Sequence, residues 1–170
     1  EYSLYDSTVH LGRYVDEARR RGLEHLAVSD EGHMFSAAEF YRLCRNAGIN
    51  PLIGVRFRLA LPSNSCACAP KRTTIHLIAE STQGYLTLMQ LSTCYFLATD
   101  HDGNALPESD VKALTVSQLQ KYHEGLIALI CGAEEHIPQL LQEIFGDDHL
   151  FLEVQNYGRD KDTHLNESLR

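Results

Sequence analysis

Two carboxylates and an imidazole crowd one short stretch, Asp30-Glu31-Gly32-His33. A short apolar run, Leu23 to Val28, reads as a buried strand leading into it, and Ser36 to Ala47 reads as the helix that follows. In α/β proteins, ligands and metal ions gather at the carboxyl ends of strands. Carboxylate and imidazole together at such a rim suit hard-cation or zinc chemistry. The same residues allow a plainer reading, in which Asp30 caps the turn and His33 is a solvated loop residue. Local sequence does not choose between the two.

Other side chains could join them. His76 lies inside the apolar strand Thr74 to Ala79, and alternation puts it on one face with Thr74 and Ile78. A lone strand histidine is either a hydrogen-bonded core residue or a ligand. Asp6 follows Tyr2-Ser3-Leu4-Tyr5 and, taken alone, reads as a turn residue. Cys66-Ala-Cys68 has the look of half a zinc site, but no second Cys or His pair follows at suitable spacing, which favours a small-residue loop. Five cysteines at irregular spacing suit a reduced, cytoplasmic chain better than a disulfide framework. No nucleophile elbow, phosphate-binding glycine loop or dinucleotide glycine pattern is present. Arg19-Arg20-Arg21 sits at a helix carboxyl end, where cations suit the dipole, so a phosphate contact is disfavoured.

At 170 residues and 44% hydrophobic, the chain can bury a core of one globular domain. It lacks the run of about 18 apolar residues a membrane span requires. The net charge of -8 argues against this chain gripping a nucleic-acid backbone by itself, since phosphate neutralisation needs clustered Lys and Arg. It leaves room for a nucleic-acid enzyme whose basic groove lies elsewhere. Glu1 opens abruptly into polar sequence with no signal peptide, as if upstream residues belonged to it.

These side chains must be positioned by alternating elements. Helical spacing of Leu11, Tyr14, Val15 and Ala18 predicts a helix from Thr8 to Arg21, capped by Ser7 or Thr8 and stopped by Gly22. After the strand at Leu23–Val28 and the helix at Ser36–Ala47, a strand runs from Asn50 to Ala60 and a loop over residues 62–72. The strand Thr74–Ala79 precedes a helix, Ser81–Leu97, and a polar loop, Asp100–Asp110. A short helix Val116–Lys121, a strand Gly125–Ile130, a helix Glu135–Phe145, a strand Leu150–Val154 and a helix Lys161–Leu169 complete the chain. Such alternation predicts a parallel α/β sheet or barrel of four to five strands, too few for a closed barrel.

The ordered pieces resemble a known family. Glu1-Tyr-Ser-Leu-Tyr-Asp6 looks like the segment after the first His-x-His motif of PHP (polymerase and histidinol phosphatase) domains. Ala27 to Tyr41 resembles that family's Ala-Leu-Thr-Asp-His-Gly-Asn-Met-x-Gly-Ala-x-Glu-Phe-Tyr. Gly48-Ile-Asn-Pro-Leu-Ile-Gly54, His76-Leu-Ile-Ala-Glu-Ser-Thr-Gln-Gly-Tyr85, Glu124 to Leu129, Ile137 to Leu141, and Phe151-Leu-Glu-Val-Gln155 with Asn166-Glu167 continue the series. In this order the set is similar to the N-terminal PHP domains of bacterial DNA polymerase III alpha subunits, over nearly the whole chain.

That resemblance implies a distorted seven-stranded (β/α) barrel, here an incomplete fragment over residues 1–170. The upstream strand with two histidines and the last ligand-bearing strands would be missing. Between Leu141 and Ile144 the chain is also short of a helix that the family usually has. Active members bind up to three metal ions at the strand carboxyl ends and hydrolyse phosphoesters with metal-activated water. By position, the metal remnants would be Asp6, Glu31 and His76, with Asp30, His33 and Arg56 as further rim residues. Glu31 stands for a family histidine and could still ligate. Arg56 stands for a family glutamate, and a guanidinium cannot ligate. The expected cysteine falls at Gly132, beside Cys131.

The expectation is therefore a degenerate site with no catalytic residue of its own, binding no metal or a weakly held zinc or manganese ion. The parent would be a cytoplasmic DNA-directed DNA polymerase using magnesium in DNA replication. Its partners would be the rest of the alpha subunit, the proofreading exonuclease subunit and the replisome, with DNA reached through other domains and no membrane contact. The alternative is an active metal-dependent phosphoesterase or 3'-5' proofreading nuclease.

Overall fold

A computed structural model describes residues 9–61, 72–99, 104, 113–131 and 137–153. Helix α1 (Leu11–Arg20) turns Leu11, Val15 and Ala18 inward. Its carboxyl end closes on Gly22, whose φ is +69°, with the Leu23 amide donating to the Ala18 carbonyl at 3.0 Å. The amino-terminal cap position is His10, without a side-chain bond, and Ser7 and Thr8 lie outside the described residues. Strand β1 is His25–Glu31 and helix α2 is Ala37–Ala47, ended by left-handed Gly48. Strand β2 (Asn50–Ala60) pairs parallel with β1 across this helical crossover.

β1 runs to Glu31, so Asp30 and Glu31 belong to the strand and not to the turn after it. This corrects the shorter strand predicted from its apolar run. Ladder pairing to Val55 and Arg56 holds the acidic residues extended, whatever their low intrinsic strand preference.

Strand β3 (Arg72–Ala79) runs antiparallel to β2, which corrects the expected all-parallel sheet. The alternation that marks a strand is the same in a parallel or an antiparallel ladder, so it carries no strand direction. Helix α3 (Thr82–Leu97) follows, then strand β4 (Leu114–Thr115), helix α4 (Val116–Lys121), strand β5 (Leu126–Cys131), helix α5 (Ile137–Phe145) and strand β6 (Leu150–Glu153). β5 is antiparallel to β3 and parallel to β6. The sheet thus has six strands in the order β1-β2-β3-β5-β6, with β4 paired to β2 beyond the end of β1. β4 is too short to leave a period in the sequence. The helix expected at Lys161–Leu169 and most of the two predicted loops lie outside the described residues.

One face of the sheet carries the core. Val55, Phe57, Leu59, Ile75, Leu77, Ala128 and Ile130 alternate outward and meet Leu88, Leu91, Leu119 and Leu141 of the helices, all buried. Burying each large side chain of this set stabilises the fold by about 1.5–3 kcal/mol. A second cluster joins α1 and α2 over β1 through Val15, Leu26, Phe40 and Cys44. Ser81 caps α3 by accepting the Gly84 amide at 3.1 Å. Thr115 and Gln118 form a capping box on α4, while the buried Gln118 amide also donates to the Thr99 carbonyl at 2.6 Å.

The first turn of α3 touches the entry to β5. A methyl group at Gly84 would overlap the Gly125 carbonyl, and Gly125 itself has φ +72°. Gly84→Ala is therefore expected to destabilise the fold by about 3 kcal/mol. Gly12→Ala on α1, with open space around it, is expected to stabilise by up to about 1 kcal/mol. Urea denaturation midpoints of the two variants check the contrast.

Candidate functional site

Residues opposite one another in a ladder share a face. Glu31 pairs with Arg56, Arg56 with His76, His76 with Leu129, and Leu129 with Phe151. One row across five strands therefore aligns Glu31, Arg56 and His76 on the face away from the helix-packed core. Ser29, Arg58 and Thr74 lie two residues along their strands and share that face.

The carboxylate of Glu31 is held by two guanidiniums. Arg56 Nη2 donates to Glu31 Oε2 at 2.8 Å, and Arg58 Nη2 donates to Glu31 Oε1 at 3.3 Å. The side chains are 30%, 39% and 54% exposed, so water screens them and each pair contributes at most about 1 kcal/mol. The Ser29 hydroxyl and His76 Nδ1 stand 3.4 Å apart. Burial pushes His76 below the ordinary imidazole value and Arg56 works in the same direction, against the carboxylate of Glu153.

Asp30 points the other way. It is buried, and its Oδ2 accepts from the Ser36 amide at 3.0 Å and the Ser36 hydroxyl at 2.6 Å, closing the turn into α2. This matches the capping role considered for it. His33 Nδ1 lies 3.6 Å from the same oxygen, and its ring stacks on Phe35 with centroids 4.2 Å apart. His33 is therefore packed among aromatics, not solvated. Of the expected set, the fold brings Glu31, Arg56 and His76 together and separates Asp30 and His33 from them. Asp6, Cys66, Cys68 and Gly132 lie outside the described residues. Arg58 and Ser29 were missed, although strand alternation from Arg56 and Glu31 already placed both on the same face.

A divalent ion on this row would meet one carboxylate shared by two fixed cations, and one imidazole, with the Glu153 carboxylate of β6 acting on that imidazole. Among the described residues no three His, Cys, Asp or Glu side chains are grouped as ligands would be. That described donor set does not fit a metal centre, because guanidiniums stay charged and oppose the ion.

Two measurements follow from this arrangement. Asp30→Ala, which removes the bonds to Ser36, is expected to cost about 1–2 kcal/mol in denaturation experiments. Glu31→Gln, on the screened face, is expected to cost less than about 1 kcal/mol. In chelator-treated protein, NMR titration of His76 is expected to give a midpoint below 6.5. A folded value below the unfolded one means its stability contribution is complete above about pH 6.5 and is lost as pH falls through the folded value. A midpoint above 6.5 would mean that Glu153 outweighs burial and Arg56.

Comparisons with known proteins agree on one relationship. A family model described as the PHP domain matches residues 1–157. DNA polymerase III subunit alpha of Borreliella burgdorferi is 27% identical over 188 residues, covering 99% of this chain and 16% of the relative. That of Bacillus subtilis is 31% identical over 141 residues, covering 83% and 11%. The chain thus spans only 11–16% of the length of these relatives. Among solved structures, a protein from Bifidobacterium adolescentis described as a "putative metal-dependent phosphoesterase" superposes with a TM-score of 0.55 at 11% identity, over 96% of this chain and 78% of that one. An amidohydrolase from Chromobacterium violaceum, solved with sulfate and no metal, gives 0.52 at 13% identity, over 94% and 76%. At such identities the likeness is one of fold.

Proposed function

Because this chain belongs to the PHP domain family, we propose that it is the PHP domain of a bacterial DNA polymerase III alpha subunit, with a degenerate metal centre and a structural, docking role. The polymerase relatives support the parentage. The observation that carries the degenerate reading is the Glu31 carboxylate clasped by Arg56 and Arg58. Arg56 sits in the ladder between Glu31 and His76, the two described residues that the family resemblance implies as ligand remnants. Its charge is permanent at any physiological pH, so it takes the place of a cation instead of binding one.

On this reading the inner face staples β1 to β2 with an ion pair. Nucleotidyl transfer, with magnesium, belongs to parts of the parent polypeptide beyond this domain. Its partners would be the rest of the alpha subunit, the proofreading exonuclease subunit and the replisome, in the cytoplasm. DNA would be held elsewhere, in keeping with the net charge of -8. The described residues contain no helix long and apolar enough to cross a membrane.

The test uses the full-length protein that contains this chain. Template-directed primer extension is expected, with zinc and manganese well below one ion per chain by elemental analysis. Near-stoichiometric zinc or manganese, lost on Asp6→Ala or His76→Ala, would instead establish the metal-dependent phosphoesterase or 3'-5' nuclease.

A further inference from the structure

Helices α1 and α2 share one buried cluster, with Tyr14 stacked on Phe40 at 6.3 Å between ring centroids. Their solvent faces are not neutral. With the capping residue Arg21, the two helices carry Arg13, Arg19, Arg20, Arg21, Arg42 and Arg45, all exposed. Against these six stand three carboxylates, Asp16, Glu17 and Glu39. The chain as a whole has a net charge of -8. The two helices are therefore a basic pole on an otherwise acidic molecule.

Two of the six arginines are satisfied within the fold. Glu17 accepts from Arg20 Nε and Nη2 at 2.7 Å each and from Arg21 Nε at 2.6 Å. Both cations also sit at a helix carboxyl end, where they suit the dipole. Arg13, Arg19, Arg42 and Arg45 have no ion pair among the described residues, and neither has Asp16. Helical spacing puts Arg13, Asp16 and Arg20 on one outward stripe of α1, opposite the buried Leu11, Val15 and Ala18. On α2, Arg42 and Arg45 are likewise three residues apart, turned away from the buried Phe40 and Cys44.

The kind of cation matters. Residues 1–70 contain arginine but no lysine. A guanidinium presents a planar fork of donors that grips a carboxylate or a phosphate at two points, whereas an ammonium is a point charge. Asp16 separates these two anions. A phosphodiester backbone has no cation to offer it, and the net charge of -8 repels such a polyanion. An acidic peptide segment that also carries a lysine or an arginine can pair with both signs.

We propose that the outward face of α1 and α2 is a docking surface for an acidic segment of a separate protein. Arg13, Arg42 and Arg45 hold carboxylates of that segment fork to fork, and Asp16 receives a cation from it. Exposed pairs are individually weak and screened by salt, so this surface supplies orientation and a salt-dependent association rate more than affinity.

Fluorescence anisotropy with the full-length protein tests it. One probe is a labelled peptide of about a dozen residues, Asp and Glu with a lysine at every fourth position, one helical turn apart. The other is a labelled oligothymidylate of the same length. The wild type is expected to bind the peptide at low salt and to release it as salt rises. Joint replacement Arg13→Glu, Arg42→Glu and Arg45→Glu is expected to weaken peptide binding about tenfold or more and to leave oligothymidylate unaffected. An unchanged urea midpoint shows that the variant is folded. If it is not, the same three positions changed to Gln carry the test, with a smaller loss expected. Equal peptide binding by wild type and folded variant would overturn the proposal. So would no binding by either, which marks a face already covered in the full-length protein. Oligothymidylate binding that is lost on charge reversal would overturn it too, and would make the face a phosphate surface.

Discussion

Strand β2 is the element on which the remainder rests, because it hydrogen-bonds to three others. β1 pairs along its first part, β3 along its second on the opposite edge, and β4 continues the first edge beyond β1. Its alternation divides the domain. Val55, Phe57 and Leu59 point to the helices and are buried, while Arg56 and Arg58 point to the other face. A one-residue slip of this strand would bring the guanidiniums into the core and expose the phenyl ring. The apolar requirement of the core therefore dictates where the cations lie, and through them what the inner face can bind.

The same alternation in β1 separates neighbours that look equivalent in the sequence. Asp30 shares the outer face with Val28 and ties the strand to α2 through Ser36. Glu31 shares the inner face with Ser29 and is neutralised by the two arginines. One carboxylate shapes the fold and the other shapes the electrostatics of the inner face. Permanent side-chain charge thus already balances the inner carboxylate.

The outer layer is less even. α3 is anchored where Gly84 meets Gly125, and Gly32, at φ +72°, lies so close to Tyr95 that a β-carbon would stand 2.6 Å from its ring. These close approaches hold the β1–α2 turn against α3.

Much was legible in the residues. The alternation of elements, the α4 span at Val116–Lys121, the Gly48 stop and the strand face shared by Thr74, His76 and Ile78 all follow from periodicity and turn chemistry. The ordered motifs also carried the family. Periodicity could not give strand direction, because an apolar strand has the same period in a parallel or an antiparallel ladder. Nor could it show β4, whose two residues have no period at all. The sequence by itself determined which side chains were available and, through alternation, which of them shared a strand face. Only the tertiary structure decided that Glu31, Arg56 and His76 fall in one row while Asp30 and His33 turn away. Register between distant strands is set by burying the whole core at once, and no local segment carries that information.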